Sequence, residues 1–364
     1  MRVLQVCTAL DGGGVDRYLF NYCTRIPEIS FDFAVVDTGK KGILEPDLEQ
    51  NSTVFRVPQL KNGPYKNYTA LHHIMTKHHY DAVHVHLGYK GVVALLCAKN
   101  CGIKVRIAHS HCAEQPQNIF QKLCRVVLSF IAKHLATSLA ACGEDAASWM
   151  WGEKALQNGR VTLQNNAIDT AQFRFSQTQR QQLRRQLGVS DDTLLVGHVG
   201  RLCEQKNQLR LLDIFNLLHQ QHPQSELLLI GRGGQEQEIR EKIDCLGLQN
   251  SVRLLGVRED VPALLSALDV MIFPSLFEGF PVTLVEAQCS GLSVICSDCV
   301  TSSVKLTEAV SFLSLHDPDQ IWVDATLNAS KKRLHDGDLQ LCHCGYDLTT
   351  EVQKLKQYYF QQIQ

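Results

Sequence analysis

Two carboxylates, Glu278 and Glu286, stand in the run Phe277-Glu-Gly-Phe-Pro-Val-Thr-Leu-Val-Glu-Ala287. A strand-like segment, Val270–Phe273, precedes the run, and a helical pattern follows it as far as Gly291. Pro281 fits the first helical position, where a missing N–H leaves nothing unpaired. The start of that helix offers free N–H groups and a positive dipole end to an anion such as a diphosphate. Glu278 falls on the incoming loop, and Glu286 more than one turn into a largely apolar helix. A carboxylate in such surroundings needs a partner, which vicinal hydroxyls of a sugar or ribose would supply. A solvated helical glutamate and a loop glutamate acting as a cap fit the same spacing.

A second constellation runs from Gly197 through His198, Gly200, Arg201 and Lys206 to Asn207, at the end of another strand-like segment. Ligands of parallel α/β sheets sit beyond the carboxyl ends of strands. Two cations fixed there could neutralise a departing diphosphate. An ordinary solvated basic loop is the plainer alternative.

The elements that must position these residues alternate between short β-rich runs and longer helical patterns. Strands are expected at Arg2–Thr8, Phe31–Asp37, Val54–Val57, Ala82–His86, Lys104–Ala108 and Ser138–Cys142. A second series follows at Leu194–Gly200, Glu226–Gly231, Val252–Leu255, Val270–Phe273 and Ser293–Ser297. The polar, Arg- and Gln-rich segment Ser176–Asp192 separates them. Two successive βαβ series read as an α/β protein with two Rossmann-like domains facing across a cleft. The expected domains are 1–170 and 171–346, with a closing helix over 347–364 that crosses back to the first. A length of 364 residues agrees with two domains at about 150 residues each.

The composition excludes several classes. There are 36 Lys and Arg against 37 Asp and Glu, too little cationic excess for a general nucleic-acid binder. Residues 1–180 hold 20 basic against 14 acidic side chains and the remainder 16 against 23, which suggests different partners for the two halves. No stretch of about 18 uncharged apolar residues is present. The opening Met1–Leu10 alternates like a strand rather than a secretory leader. The 14 cysteines show no paired zinc spacing and sit mostly in apolar runs. A cytoplasmic enzyme is expected.

Further segments complete an ordered set: Gly12-Gly-Gly-Val-Asp-Arg17, Asp81-Ala-Val-His-Val-His86, Arg106-Ile-Ala-His-Ser-His111, Ala141-Cys-Gly-Glu-Asp145, Asn166-Ala-Ile-Asp169, Leu229-Ile-Gly-Arg-Gly-Gly234 and Leu254-Leu-Gly-Val-Arg258. With the two constellations, they resemble the retaining nucleotide-sugar glycosyltransferases of the GT-B fold, family 4. Arg106–His111, Trp149–Gly152 and Val294–Leu315 look most like enzymes of bacterial capsule, exopolysaccharide or O-antigen assembly. The sequence departs from the pattern at Asp16, Cys142, Ala167 and Ser293.

The resemblance implies that the first domain serves the acceptor and the second binds a nucleotide sugar, with UDP as the expected nucleotide. Arg201 and Lys206 would hold the donor diphosphate, and Glu286 the ribose. Glu278 would contact the donor sugar, together with main-chain N–H groups of Gly279, Phe280 and Val282. Val257 and Arg258 would lie by the base, and Gly13 and Gly14 would approach the phosphates closely. One histidine, His109 or His111, would bond the sugar near the reacting carbon. His86, His111 and Asp16 are acceptor-side candidates. The catalytic set is thus Arg201, Lys206, Glu278 and His109. No cofactor or metal is implied, and Asp317-Pro-Asp319 is expected to cap a helix. The implied acceptor is a saccharide, lipid-linked in capsule-type systems. Lys122, Arg125 and Lys133 beside apolar residues suggest peripheral contact with an anionic membrane face. Three rivals are a nicotinamide dehydrogenase, a UDP-sugar 2-epimerase of the same fold and a catalytically silent partner subunit. Gly12-Gly13-Gly14 lacks the Gly-x-Gly-x-x-Gly spacing that the first of these needs.

Overall fold

In the computed structural model, residues 1–11, 13–111 and 119–363 are described. Gly12, which opens the glycine run, and Gln364, the last residue of the expected closing helix, lie outside them. The chain forms two compact units: Met1–Ala167 with Leu348–Gln364, and Ile168–Asp347.

Among the described residues the first unit contains β1 (Arg2–Cys7), β2 (Ser30–Val36), β3 (Val54–Val57), β4 (Ala82–Val85), β5 (Val105–Ser110), β6 (Ser138–Ala141) and β7 (Val161–Leu163). All pair in parallel, in the order β3-β2-β1-β4-β5-β6-β7. The second unit contains β8 (Leu194–Val199), β9 (Ser225–Ile230), β10 (Val252–Gly256), β11 (Val270–Phe273), β12 (Ser293–Ser297) and β13 (Val310–Leu313). These too are parallel, in the order β10-β9-β8-β11-β12-β13. Each sheet reverses its winding beside its first strand, between β1 and β4 and between β8 and β11. Such switch points are where open α/β sheets leave a crevice for ligand.

Sheets covered on both faces need strands that are apolar on both sides. Leu227–Ile230 of β9 and Val270–Phe273 of β11 are buried throughout. Along β1, Leu4 and Val6 join one core cluster, while Val3 and Cys7 join the cluster that contains Tyr359 of the returning helix Leu348–Ile363. That helix packs on the helix Gly14–Cys23 of the first unit.

Several local expectations need correction. The strands β7 and β13 are additional to those read from the sequence; each is short and pairs along one side only. Ser176–Asp192 is folded into the second unit: the Ser176 hydroxyl caps a helix over Gln177–Leu187. Its buried Arg184 donates to the carbonyls of Ala267 and Thr193 and pairs with Asp269. Pro281 is the N-cap, with an extended ψ of 107°, so Val282 opens the helix Val282–Cys289. Pro318, not an aspartate, is the N-cap of Asp319–Ala329. Asp317 accepts from the Ser314 N–H at 3.0 Å, and Asp319 pairs with Arg210.

Candidate functional site

In the second unit the loop after β8 and the loop after β11 flank the switch point and are tied to each other. Asn207, in the left-handed region at φ 55°, donates from its side chain to the Pro274 carbonyl at 3.1 Å. Gln205 accepts from the Leu276 N–H at 2.8 Å and donates to the Phe277 carbonyl at 3.0 Å. Across this seam Lys206 Nζ meets Glu278 Oε1 at 2.7 Å, with only 13% and 9% of their side chains exposed. The ammonium also stands 4.5 Å from the centre of the Phe273 ring, a cation–π arrangement. Arg201 is exposed and has no ion-pair partner among the described residues.

Behind this seam, His198 is fully buried. Its Nδ1–H donates to the Ile272 carbonyl at 3.0 Å, and its Nε2 accepts from the Gln208 amide at 3.2 Å. The same amide donates to the Arg201 carbonyl at 2.8 Å. Burial pushes the His198 pKa down to about 4, so the ring is neutral near pH 7. Gln205, Asn207, His198 and Gln208 thus hold the backbone that presents Arg201 and Lys206. None carries a charge; His198, Gln205 and Asn207 fall within the second constellation without a residue type that marks their role, and Gln208 follows it directly.

The glycine-rich segment after β9 has a steric reason. A Cβ on Gly231, at φ +137°, would stand 2.0 Å from the Gly200 carbonyl oxygen, and one on Gly233 2.0 Å from that of Leu202. The two backbones therefore lie against each other, joined by Leu202 N–H to the Arg232 carbonyl at 3.0 Å. Only glycine permits that approach.

Beyond the seam, the first N–H groups of Val282–Cys289 have no intrahelical acceptor, as at any helix start. Phe280 stacks flat on Tyr346, with ring centres 5.5 Å apart, which fixes the loop between Gly279 and Val282. Glu286 is half-buried on this helix. Val257 is exposed at the end of β10, while Arg258 forms a two-pronged pair with Asp260 at 2.7 and 2.6 Å. Arg258 is thus engaged locally rather than free for a ligand.

In the first unit Gly13 is the N-cap of Gly14–Cys23, and the Asp16 carboxylate accepts its N–H at 2.9 Å. Asp16 thus serves as a helix cap. A Cβ on Gly14 would meet nothing within 4 Å, so the protein itself does not require glycine there. His109 lies within β5 and is fully buried; His111 follows the strand. His84, His86, His109 and His111 gather into one cluster, with His109 and His111 stacked at 3.9 Å. Burial holds all four below the ordinary histidine range, His111 at about 3.

The helix Ile119–Leu135 buries Ser129, Ala132 and Leu135 and leaves Leu123, Val126, Val127 and Phe130 exposed, with Leu123 at 62% and Phe130 at 63%. Arg125 and Lys133 donate to the carbonyls of Trp149 and Trp151 at the end of a neighbouring helix, Glu144–Trp151. Those two charges are spent inside the unit, which leaves Lys122 outward. No helix among the described residues is long and apolar enough to cross a membrane.

Known proteins resemble this chain along nearly its whole length. The family model described as "Glycosyl transferases group 1" matches residues 179–313. EpsF of Bacillus subtilis (strain 168), which bears a glycosyltransferase name, is 30% identical over 368 residues, covering 98% of this chain and 96% of its own. The UDP-Gal:alpha-D-GlcNAc-diphosphoundecaprenol alpha-1,3-galactosyltransferase of Escherichia coli is 24% identical over 371 residues, covering 96% and 94%. Among solved structures, Anabaena HepE in complex with UDP matches with a TM-score of 0.80 at 20% identity, over 99% of this chain and 100% of that one. WaaG, a glycosyltransferase involved in lipopolysaccharide biosynthesis, matches with a TM-score of 0.72 at 14% identity, over 98% of both chains. The two parallel sheets and these matches establish the GT-B fold, and with a relative of 30% identity along nearly its whole length the chain belongs to the group 1 glycosyltransferases.

Proposed function

We propose that this glycosyltransferase moves a hexose or N-acetylhexosamine, with retention, from a UDP-sugar to a lipid-linked saccharide in bacterial surface polysaccharide assembly. The observation that carries the reading is the Lys206–Glu278 pair, set on two tied loops at the switch point beside a helix start. A diphosphate needs fixed positive charge in a partly water-excluded place, and Lys206 and the exposed Arg201 offer it. Glu278 holds Lys206 in position and contacts the donor sugar; Glu286 takes the ribose hydroxyls. The N–H groups of Gly279, Phe280 and Val282 supplement them, and Val257 lies by the base. Arg258 serves there through its backbone, its guanidinium being held by Asp260. In the first unit, Gly13, Gly14, His86, His109, His111 and Asp16 keep the roles that the family resemblance implies, Asp16 through its cap.

The transition state in this reading is oxocarbenium-like, and the departing phosphate oxygen takes the acceptor proton. The Glu278 and Glu286 carboxylates bind substrate, so the two-carboxylate scheme of retaining hydrolases is not used. Arg201 and Lys206 supply the countercharge, and no metal enters the scheme.

The donor and acceptor assignments draw support from relatives. The Escherichia coli enzyme is named for transfer from UDP-Gal to a diphosphoundecaprenol-linked sugar, and HepE was solved with UDP-glucose. The glycosyltransferase names of the Escherichia coli and Bacillus subtilis relatives favour transfer over epimerisation. The exposed apolar face of Ile119–Leu135 supports contact with an anionic membrane at the cytoplasmic side. A panel of UDP-sugars with a diphosphoundecaprenol-linked sugar, read by released UDP and by the anomeric configuration of the product, tests the proposal. Inverted product, or no acceptor-dependent UDP release with any donor, would overturn it.

A further inference from the structure

Toward the carboxyl ends of β1, β4 and β5 a glutamine and four histidines form two hydrogen-bonded chains with Tyr359 of the returning helix. In the first, Gln5 Nε2 lies 2.9 Å from Tyr359 Oη, Oη lies 2.6 Å from His84 Nδ1, and His84 Nε2 lies 3.0 Å from His109 Nδ1. In the second, Gln5 Oε1 lies 2.7 Å from His86 Nε2, and His86 Nδ1 lies 2.8 Å from His111 Nε2. Both chains thus start on one amide. Each ends on a buried ring nitrogen with no partner among the described residues, His109 Nε2 and His111 Nδ1.

The protons in this cluster can be followed one by one. A neutral imidazole has one N–H and one lone pair, and burial keeps all four rings neutral. The Gln5 amide nitrogen donates to Tyr359, so the tyrosine hydroxyl donates to His84 Nδ1. His84 Nε2–H then donates to His109 Nδ1, and His109 is left with a buried Nε2–H that no described residue accepts. The Gln5 carbonyl accepts from His86 Nε2–H, so His86 Nδ1 accepts from His111 Nε2–H. His111 is left with a bare Nδ1 lone pair. Turning the Gln5 amide over reverses every bond in both chains and exchanges the two ends. In either orientation the four rings share one tautomer, and one free end donates while the other accepts.

We propose that Gln5 and Tyr359 are positioning residues that lock the four histidines into one tautomer, so that His109 and His111 present one donor and one acceptor side by side to a hydroxyl-bearing ligand. That the ligand is the transferred sugar rests on the function proposed above; the tautomer lock does not. A hydroxyl both donates and accepts, so it matches this pair. An anion would want two donors, and a divalent metal two lone pairs. His84, His86 and His109 do bring their ligand atoms within 4.8 Å of one another. Their lone pairs, however, are already taken by the bonds within the chains, apart from the unpartnered end.

The returning helix acquires a task here beyond packing. Tyr359 reaches from it to the fully buried His84 and Gln5, and its hydroxyl passes the polarity of the amide to the β4–β5 pair. A phenylalanine would fill the same space and transmit nothing.

Nitrogen-15 spectra of the full chain with labelled histidine rings, each assigned through its single His→Gln variant, test the lock. In the wild type all four rings should show the same tautomer. Tyr359→Phe should leave His84 and His109 as mixtures while His86 and His111 stay fixed; Gln5→Met should release both chains. Mixed tautomers in the wild type, or uniform ones in Gln5→Met, would overturn the lock. With the UDP-sugar identified by the donor panel, both variants should raise its KM about tenfold or more, at unchanged Kd for UDP. Unchanged KM with the tautomers released would overturn the assignment of the ligand. If the wild type turned over no UDP-sugar, the proposed function would fail while the spectra still decided the lock.

Discussion

Lys206 and Glu278 meet at 2.7 Å although they belong to different loops, each following a strand beside the switch point of the second sheet. The pair is mostly shielded from water, so each residue keeps the other's charge from standing alone. Removing one partner of a buried pair costs about 3–5 kcal/mol, because the survivor is left uncompensated. In the proposed function, a diphosphate arriving at this seam would give the lysine a second anion, with the exposed Arg201 beside it. On that reading the resting pair would hold a cation in place for the substrate.

Lys206→Ala is expected to lower kcat by about 10²–10³, the usual loss for a preorganised charge-stabilising group. Glu286→Ala should instead weaken UDP binding. Steady-state kinetics and calorimetry with UDP separate the two effects, and circular dichroism checks that each variant is folded. Wild-type turnover in Lys206→Ala would remove this lysine from the chemistry.

Activity is expected to survive excess EDTA. In the proposed scheme the countercharge at the seam comes from Lys206 and Arg201, and the Asp317-Pro-Asp319 carboxylates are committed to Ser314 and Arg210. Loss of turnover with EDTA, restored by manganese or magnesium, would point to a metal on the diphosphate.

Two glycines should respond in opposite ways. Gly233→Ala would put a Cβ 2.0 Å from the Leu202 carbonyl oxygen, so the loop that carries Arg201 must move. A fall of several degrees in Tm is the expected result. Gly14→Ala meets nothing within 4 Å, so Tm should hold while donor KM rises. Thermal melts and kinetics on the two proteins provide the comparison; equal Tm losses would refute the distinction.

Much of the fold was legible because parallel strands announce themselves as short apolar runs; Val54–Val57, Val270–Phe273 and Ser293–Ser297 fall where the sequence places them. The edge strands β7 and β13 have three and four residues and lack the two-sided apolar pattern, so they do not stand out. At the site, Glu278 and Lys206 could each be singled out by type and position. Their pairing could not, because it depends on β8 lying beside β11. The Arg258–Asp260 pair lies two residues apart and was open to a closer reading. The Gln5–Tyr359 link joins positions separated by nearly the whole chain and needs the fold to be seen.

Acid should destabilise the protein earlier than its carboxylates alone would require. His84, His86, His109, His111 and His198 are buried as neutral rings, with His111 at about 3 and His198 at about 4. In the unfolded chain each takes up a proton near pH 6.5. Between the unfolded and folded values the unfolded state holds more protons, so stability falls as pH falls. The contribution is complete above about pH 6.5 and is lost progressively below it, by about 1.4 kcal/mol per pH unit for each ring. Urea midpoints at pH 7.5 and 5.5 check the sign; a midpoint unchanged or higher at pH 5.5 would contradict it.

The helix Ile119–Leu135 should bind anionic membranes. Its buried positions are Ser129, Ala132 and Leu135, whereas Leu123, Val126, Val127 and Phe130 stand in solvent. A single soluble domain rarely leaves so many apolar side chains along one helix without a use. Arg125 and Lys133, being bound to the carbonyls of Trp149 and Trp151, anchor the helix and are poor choices for a test. Lys122 points outward beside the apolar row and is available to a headgroup, at about 1 kcal/mol for one basic residue near the surface. Flotation with vesicles of phosphatidylglycerol and phosphatidylethanolamine, against neutral phosphatidylcholine, measures the effect. Binding to the anionic vesicles should weaken with salt and with Lys122→Glu, and should disappear in Leu123→Glu with Phe130→Glu. The double variant changes only exposed side chains, so its Tm should match the wild type. Equal absence of binding to both vesicle types would mean that the apolar row is covered by something other than lipid.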